Sequence, residues 1–122
     1  MTAAIQTGPT PSETLPDMPL DPSTITEGNP VARGTVVHQS EDKKLSSGFW
    51  SCTEGKFDWV FVWDEFVRVI EGEVTITEEG GAIHKLSAGD TAHFPLGLTT
   101  HWHVTVPVKK FFVIRTPEPF VL

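Results

Sequence analysis

The sequence predicts an all-β protein, an antiparallel sandwich or barrel, on three observations. From Val31 onward, apolar and polar residues alternate in short runs rich in valine, threonine and aromatics, the pattern that suits a pleated, half-buried surface. Glycine- and proline-bearing turns separate these runs at roughly 8–12-residue spacing. No stretch of useful length carries the 3.6-residue period of an amphipathic helix, and no internal repeat is present.

In chain order, residues 1–24 form a distinct N-terminal segment. Pro9, Pro11, Pro16, Pro19 and Pro22 recur there among Thr, Ser, Asp and Gly. Proline donates nothing to a ladder and restricts its predecessor, so the segment reads as an extended arm. It is expected to dock from about Leu15 onward, because Leu15, Met18, Leu20 and Ile25 would otherwise be exposed. One helical turn is expected at residues 21–25, with Asp21 as cap and Pro22 at the first position.

Residues 25–122 form the folded domain. Its expected strands are Thr35–Gln39, Gly48–Cys52, Lys56–Val62, Phe66–Glu71, Glu73–Glu78, Ala82–Leu86, Thr91–Phe94, His101–Val106 and Lys109–Thr116. Turn chemistry lies between them at Glu54-Gly55, Glu79-Gly80-Gly81, Ser87-Ala88-Gly89-Asp90 and Pro95-Leu96-Gly97.

Composition bounds the function. With 122 residues, one domain is expected. Nine Lys and Arg against sixteen Asp and Glu give a formal charge of −7. Nucleic acid and anionic membranes require a basic stripe, so neither is an expected partner. No apolar run approaches the ~18 residues of a membrane span. The start lacks a basic region followed by an apolar run, so a cytoplasmic location is expected. The single cysteine, Cys52, reads as a small buried hydrophobe.

Strand parity locates the candidate pocket. Strict alternation puts Phe57, Trp59, Phe61, Trp63 and Glu65 on one face, an aromatic stripe continued by a carboxylate. In Thr100-His101-Trp102-His103-Val104-Thr105-Val106, the apolar set belongs with Thr100 and Trp102 on the buried face. His101 and His103 then point outward, and a register slip of one residue would reverse them. His38, His84 and His93 read as structural or surface histidines. Glu71, Glu73, Glu78 and Glu79 read as a solvated rim, lacking the loop spacing of a calcium site.

Two stretches, EFVRVIEGEVTI and LSAGDTAHFPLGL, resemble the paired boxes of the cupin superfamily. The first box carries two histidines one residue apart, then a glutamate, six residues and a glycine; Glu65 and Gly72 fit that glutamate–glycine spacing. The second runs glycine, five residues, proline, any residue, glycine; Gly89, Pro95 and Gly97 match it. With EGNPVARG, GFWSCTEGKF and TTHWHVTVPVKKFFVI, the likeness extends over about residues 25–116. It is to an uncharacterised cupin family that shares its domain with (S)-ureidoglycine aminohydrolase and an ethanolamine-utilisation protein. The resemblance implies a double-stranded β-helix, the RmlC-like jelly roll, commonly homodimeric.

The departures from the family pattern bear on chemistry. The first-box histidine positions fall at Trp59 and Phe61 with the shorter spacing, or at Asp58 and Val60 with the longer one. The second-box histidine position falls at Thr100. Of four ligands that the resemblance implies, only Glu65 remains, and a lone carboxylate does not hold a transition metal.

The leading expectation is a metal-free small-molecule-binding module, with no cofactor and a pocket formed by Trp59, Phe61, Glu65, Thr100 and Trp102. An amine or other cation is the expected ligand, held by the carboxylate and the ring faces. A structural alternative pairs Glu65 with Arg68 or Arg115 and treats the rings as core. A second reading is a cupin enzyme acting on a small nitrogen compound, with manganese or another divalent metal on Glu65, His101 and His103. A metal-free variant uses Glu65 as general acid or base. For assembly, a homodimer is expected, with the arm, Val36, Val37, Phe49 and Phe111 or Phe112 as contacts.

Overall fold

A computed structural model describes residues 3–122. A 3-10 turn, Pro22–Thr24, precedes eight strands: β1 (Ile25–Glu27), β2 (Ala32–Gln39), β3 (Leu45–Cys52), β4 (Gly55–Val60), β5 (Asp64–Glu78), β6 (Ile83–Ser87), β7 (Thr91–Phe94) and β8 (Thr99–Arg115). All pairings between them are antiparallel. Asp21 caps the 3-10 turn through the Ser23 amide, with Pro22 at its start, as the sequence indicates.

β5 and β8 organise the barrel. They pair with each other from Asp64↔Arg115 to Glu78↔Thr100. The first half of β8 also pairs with β4 and its second half with β3, while β5 pairs first with β7 and then with β6. The result is a curled sheet whose two layers run β2-β3-β8-β5-β7 and β1-β4-β8-β5-β6.

Two expected strand breaks, at Gly72 and around Pro107, are instead bends within continuous strands. Register shifts cluster between Val69 and Val74. Gly72 has φ +84°, and a Cβ there would lie 2.0 Å from the Pro107 carbonyl oxygen. A residue without a Cβ lets the two long strands turn the corner together.

The core lies between the layers. Cys52, Phe57, Val67, Val69, Val74, Ile76, Trp102, Val104, Val108, Phe112 and Ile114 are all buried there. Trp50 of one layer meets Trp102 of the other edge-on, with ring centroids 5.9 Å apart.

The arm docks as expected, with Leu15 only 5% exposed. It extends the free edge of β2: the Met18 amide donates to the Ala32 carbonyl at 3.1 Å, and the Gly34 amide to the Pro16 carbonyl at 2.9 Å. Asp17 pairs with the Arg33 guanidinium, and Lys109 donates to the Pro11 carbonyl. A Cβ on Gly34 would lie 2.9 Å from the Met18 sulfur, so this glycine admits the arm.

The expected dimer contacts are corrected in part. Phe112 is buried inside the barrel, and Phe49 is buried with its ring 5.3 Å from Phe111. Among the described residues, no helix is long and apolar enough to cross a membrane.

Candidate functional site

The aromatic stripe keeps its parity across a break in the ladder. β4 ends at Val60 and β5 starts at Asp64, yet Phe57, Trp59, Phe61, Trp63 and Glu65 all face one cavity. The turn following β7 holds the link in place. The Phe61 amide donates to the Leu98 carbonyl at 2.9 Å, and the Gly97 amide to the Phe61 carbonyl at 2.7 Å. Phe61 also stacks on Phe94, with centroids 4.7 Å apart and planes nearly parallel.

The cavity has a volume of about 150 Å³. Trp50, Trp102, Lys110, Phe112 and Ile114 complete its inner wall; Met18 to Asp21 of the arm and Phe120 of the C-terminal segment complete the rest. Phe120 sits edge-on to Trp63 at 5.5 Å. Its carbonyl accepts from Gln39 Nε2 at 2.8 Å, which ties the C-terminal segment to the barrel.

Glu65 is not the solitary acid that the sequence suggests. Lys110 Nζ lies 2.6 Å from Glu65 Oε2, and Trp63 Nε1 donates to Oε1 at 3.0 Å. Glu65 is 5% exposed and Lys110 8%. The ammonium also lies over two indole faces, 4.6 Å from the Trp50 centroid and 5.1 Å from that of Trp102. Of the rings expected to receive a ligand's cation, Trp102 therefore faces the chain's own, together with Trp50. Neither Arg68 nor Arg115 is the partner: Arg68 is exposed, and Arg115 donates to Asp64 at 2.8 Å.

Thr100 is a correction. It is fully buried, but its hydroxyl donates to the Trp59 carbonyl at 2.8 Å and accepts from Trp102 Nε1 at 2.9 Å. Both interactions lie within the wall, so Thr100 positions two tryptophans and does not line the cavity.

His101 and His103 are exposed on the outer face while Trp102 and Val104 are buried, so the apolar parity sets the register. His101 bridges two carboxylates, with Nδ1 2.7 Å from Asp58 and Nε2 2.8 Å from Glu79. The bonds to Asp58 and Glu79 hold its pKa above the ordinary 6.5. The set Glu65, His101 and His103 is thus split between the inside and the outside of the sheet. Among the described residues no three His, Cys, Asp or Glu side chains are grouped to hold a metal. The carboxylate at the position that the cupin pattern reserves for a ligand faces an ammonium, and the donors present do not fit a divalent ion.

His84 lies on the surface 2.6 Å from Glu78, and His93 stacks on Phe66 outside the barrel. Burial pushes the Cys52 thiol up to about 12, against a smaller opposing effect of Lys110, and leaves it without nucleophilic character.

Lys110 and Trp50 are the residues the sequence reading misses. Both had a signal. Lys110 shares parity with Phe112 and Ile114, a charged side chain at an inward position, and Trp50 alternates with Gly48 and Cys52.

A curled two-layer β barrel with a pocket between its layers defines a cupin-type jelly roll. The EutQ-like cupin domain matches residues 39–112, and the chain belongs to that family. The Clostridium difficile EutQ protein is 23% identical with a TM-score of 0.67, over 80% of this chain and 75% of that one. A DUF861-family protein of unknown function from Pseudomonas syringae is 27% identical with a TM-score of 0.74, over 81% of this chain but only 43% of that one. A DUF861-family protein from Thermotoga maritima is 34% identical with a TM-score of 0.52, over 52% of this chain and 73% of that one. No curated protein matches the chain.

Proposed function

We propose that this protein binds a small, largely apolar organic molecule inside the barrel without a metal ion. The observation that carries this reading is the cavity itself: about 150 Å³, walled by aromatic rings and holding one ion pair that is already internally neutralised. A space of that size accepts a ligand of about one benzene ring. Apolar walls with few polar groups are the usual composition of a ligand site.

The charge arrangement favours a different ligand from the amine or other cation that the sequence suggests. An amine entering beside Glu65 would face the Lys110 ammonium, and a like charge in a poorly solvated site is costly. An uncharged ring compound with one hydrogen-bond acceptor avoids that repulsion. Its acceptor can take a second N–H of Lys110, since an ammonium has three.

Titration of intrinsic tryptophan fluorescence with benzyl alcohol, alongside thermal unfolding, tests the reading. The tryptophan-lined wall predicts saturable quenching and a rise in Tm that follows ligand concentration. Benzylamine is expected to bind more weakly than benzyl alcohol. Linear, unsaturable quenching with no stabilisation contradicts the proposal.

A further inference from the structure

The geometry points to Lys110 as a carbonyl-capturing amine: it forms an imine with a small apolar aldehyde or ketone bound in the cavity, and Glu65 moves the protons. This inference rests on the cavity being a ligand site, and deepens it from binding to a covalent step.

Three observations carry it. Lys110 is the one lysine whose side chain lines the cavity; the others lie elsewhere on the barrel, exposed or half-buried. Its nitrogen is held between two indole faces and a carboxylate, so its position is fixed relative to whatever enters. Glu65 Oε2, at 2.6 Å, is within direct proton-transfer distance of that nitrogen. Stability alone is weak grounds for the pair, because apolar residues of similar volume often replace a buried ion pair without loss. Buried lysines form Schiff bases with carbonyl compounds, and here the carboxylate supplies the proton acceptor that attack requires.

The step balances without an external reactant. Glu65 takes a proton from the ammonium, and the freed nitrogen attacks the carbonyl carbon, forming the C–N bond. The carbonyl oxygen takes the proton back from Glu65, giving a carbinolamine. Glu65 then removes a second proton from nitrogen and passes it to the hydroxyl, which leaves as water as the C–O bond breaks. The product is a protonated imine on Lys110 beside the Glu65 carboxylate. One carbonyl and one ammonium have become one iminium and one water, and nothing is oxidised or reduced.

The test incubates the full chain with benzaldehyde, reduces with sodium borohydride and maps the benzylated lysines by mass spectrometry. The expected result is preferential modification of Lys110 over Lys43, Lys44, Lys56, Lys85 and Lys109, suppressed by excess benzyl alcohol. Glu65→Gln is expected to slow labelling at Lys110 about 100-fold or more. If surface lysines are labelled while Lys110 stays unmodified, and benzyl alcohol still quenches the tryptophans saturably, imine formation is overturned and reversible binding stands. If benzyl alcohol neither binds nor protects, both readings fall. Mapping on the parent protein decides the matter even where a substituted chain does not fold.

Discussion

Lys110 delivers its ammonium to within 2.6 Å of Glu65, the one carboxylate that this chain retains from the cupin ligand pattern. A protein cation thereby stands beside the carboxylate that the pattern reserves for a metal ion. The two residues are far apart in sequence but adjacent through the β5–β8 ladder, where Glu65 pairs with Ile114 and Val69 pairs with Lys110. The indole of Trp63 donates to the second carboxylate oxygen and those of Trp50 and Trp102 flank the ammonium, so aromatic side chains surround the pair.

Breaking the pair from one side is expected to be severe. Lys110→Met leaves the Glu65 charge buried without its partner, a loss of about 3–5 kcal/mol. The double variant Glu65→Leu/Lys110→Met should recover most of that loss, because it removes both charges together. Urea unfolding of the four proteins of the cycle measures the coupling.

Thr100 is predicted to matter for stability rather than for binding. Thr100→Val keeps the shape but leaves the Trp102 indole N–H without its acceptor, which costs about 1–3 kcal/mol. Affinity for benzyl alcohol is expected to stay within about threefold of the parent, since the hydroxyl does not reach the cavity. Equilibrium unfolding and fluorescence titration on the same protein separate the two effects.

The arm carries part of the cavity wall, so loosening it should be felt inside the barrel. Leu15→Ala is expected to destabilise by about 2–3 kcal/mol through lost burial. Removing residues 1–20 takes away the Met18 and Leu20 walls and is expected to shift tryptophan emission to longer wavelength. Light scattering on the truncated chain tests the homodimer expectation as well: a mass unchanged at low concentration would take the arm out of any dimer contact.

The bridge from His101 to Asp58 and Glu79 predicts a pH dependence whose sign follows from linkage. The folded pKa lies above 6.5, so the stabilisation is complete below 6.5, where folded and unfolded chains are both protonated. It is lost as pH rises from 6.5 through the raised folded value. NMR titration is expected to show His101 deprotonating above 6.5, with Asp58→Asn moving it downward.

Much of this was legible in the chain. Period two along residues 57–65 predicts the cavity-facing stripe, and the apolar parity of Trp102 and Val104 predicts outward histidines; both follow from local geometry alone. The bends at Gly72 and Pro107 were legible only as interruptions, because whether a strand ends or turns depends on what pairs beside it. The Glu65–Lys110 pair needed the ladder. Parity shows that Lys110 faces inward with Phe112 and Ile114, but the partner comes from the neighbouring strand, and sequence distance says nothing of it. Thr100 failed for a related reason: an inward threonine looks like a pocket group until the Trp59 carbonyl and the Trp102 indole are placed against it.

Manganese uptake by untagged protein, measured by equilibrium dialysis followed by elemental analysis, tests the central claim most directly. With the lysine ammonium beside Glu65 and the histidines outside, less than about a tenth of an equivalent per chain is expected. Binding of one equivalent that disappears in Glu65→Gln would contradict the account, since it would require Lys110 to yield its place to a metal ion.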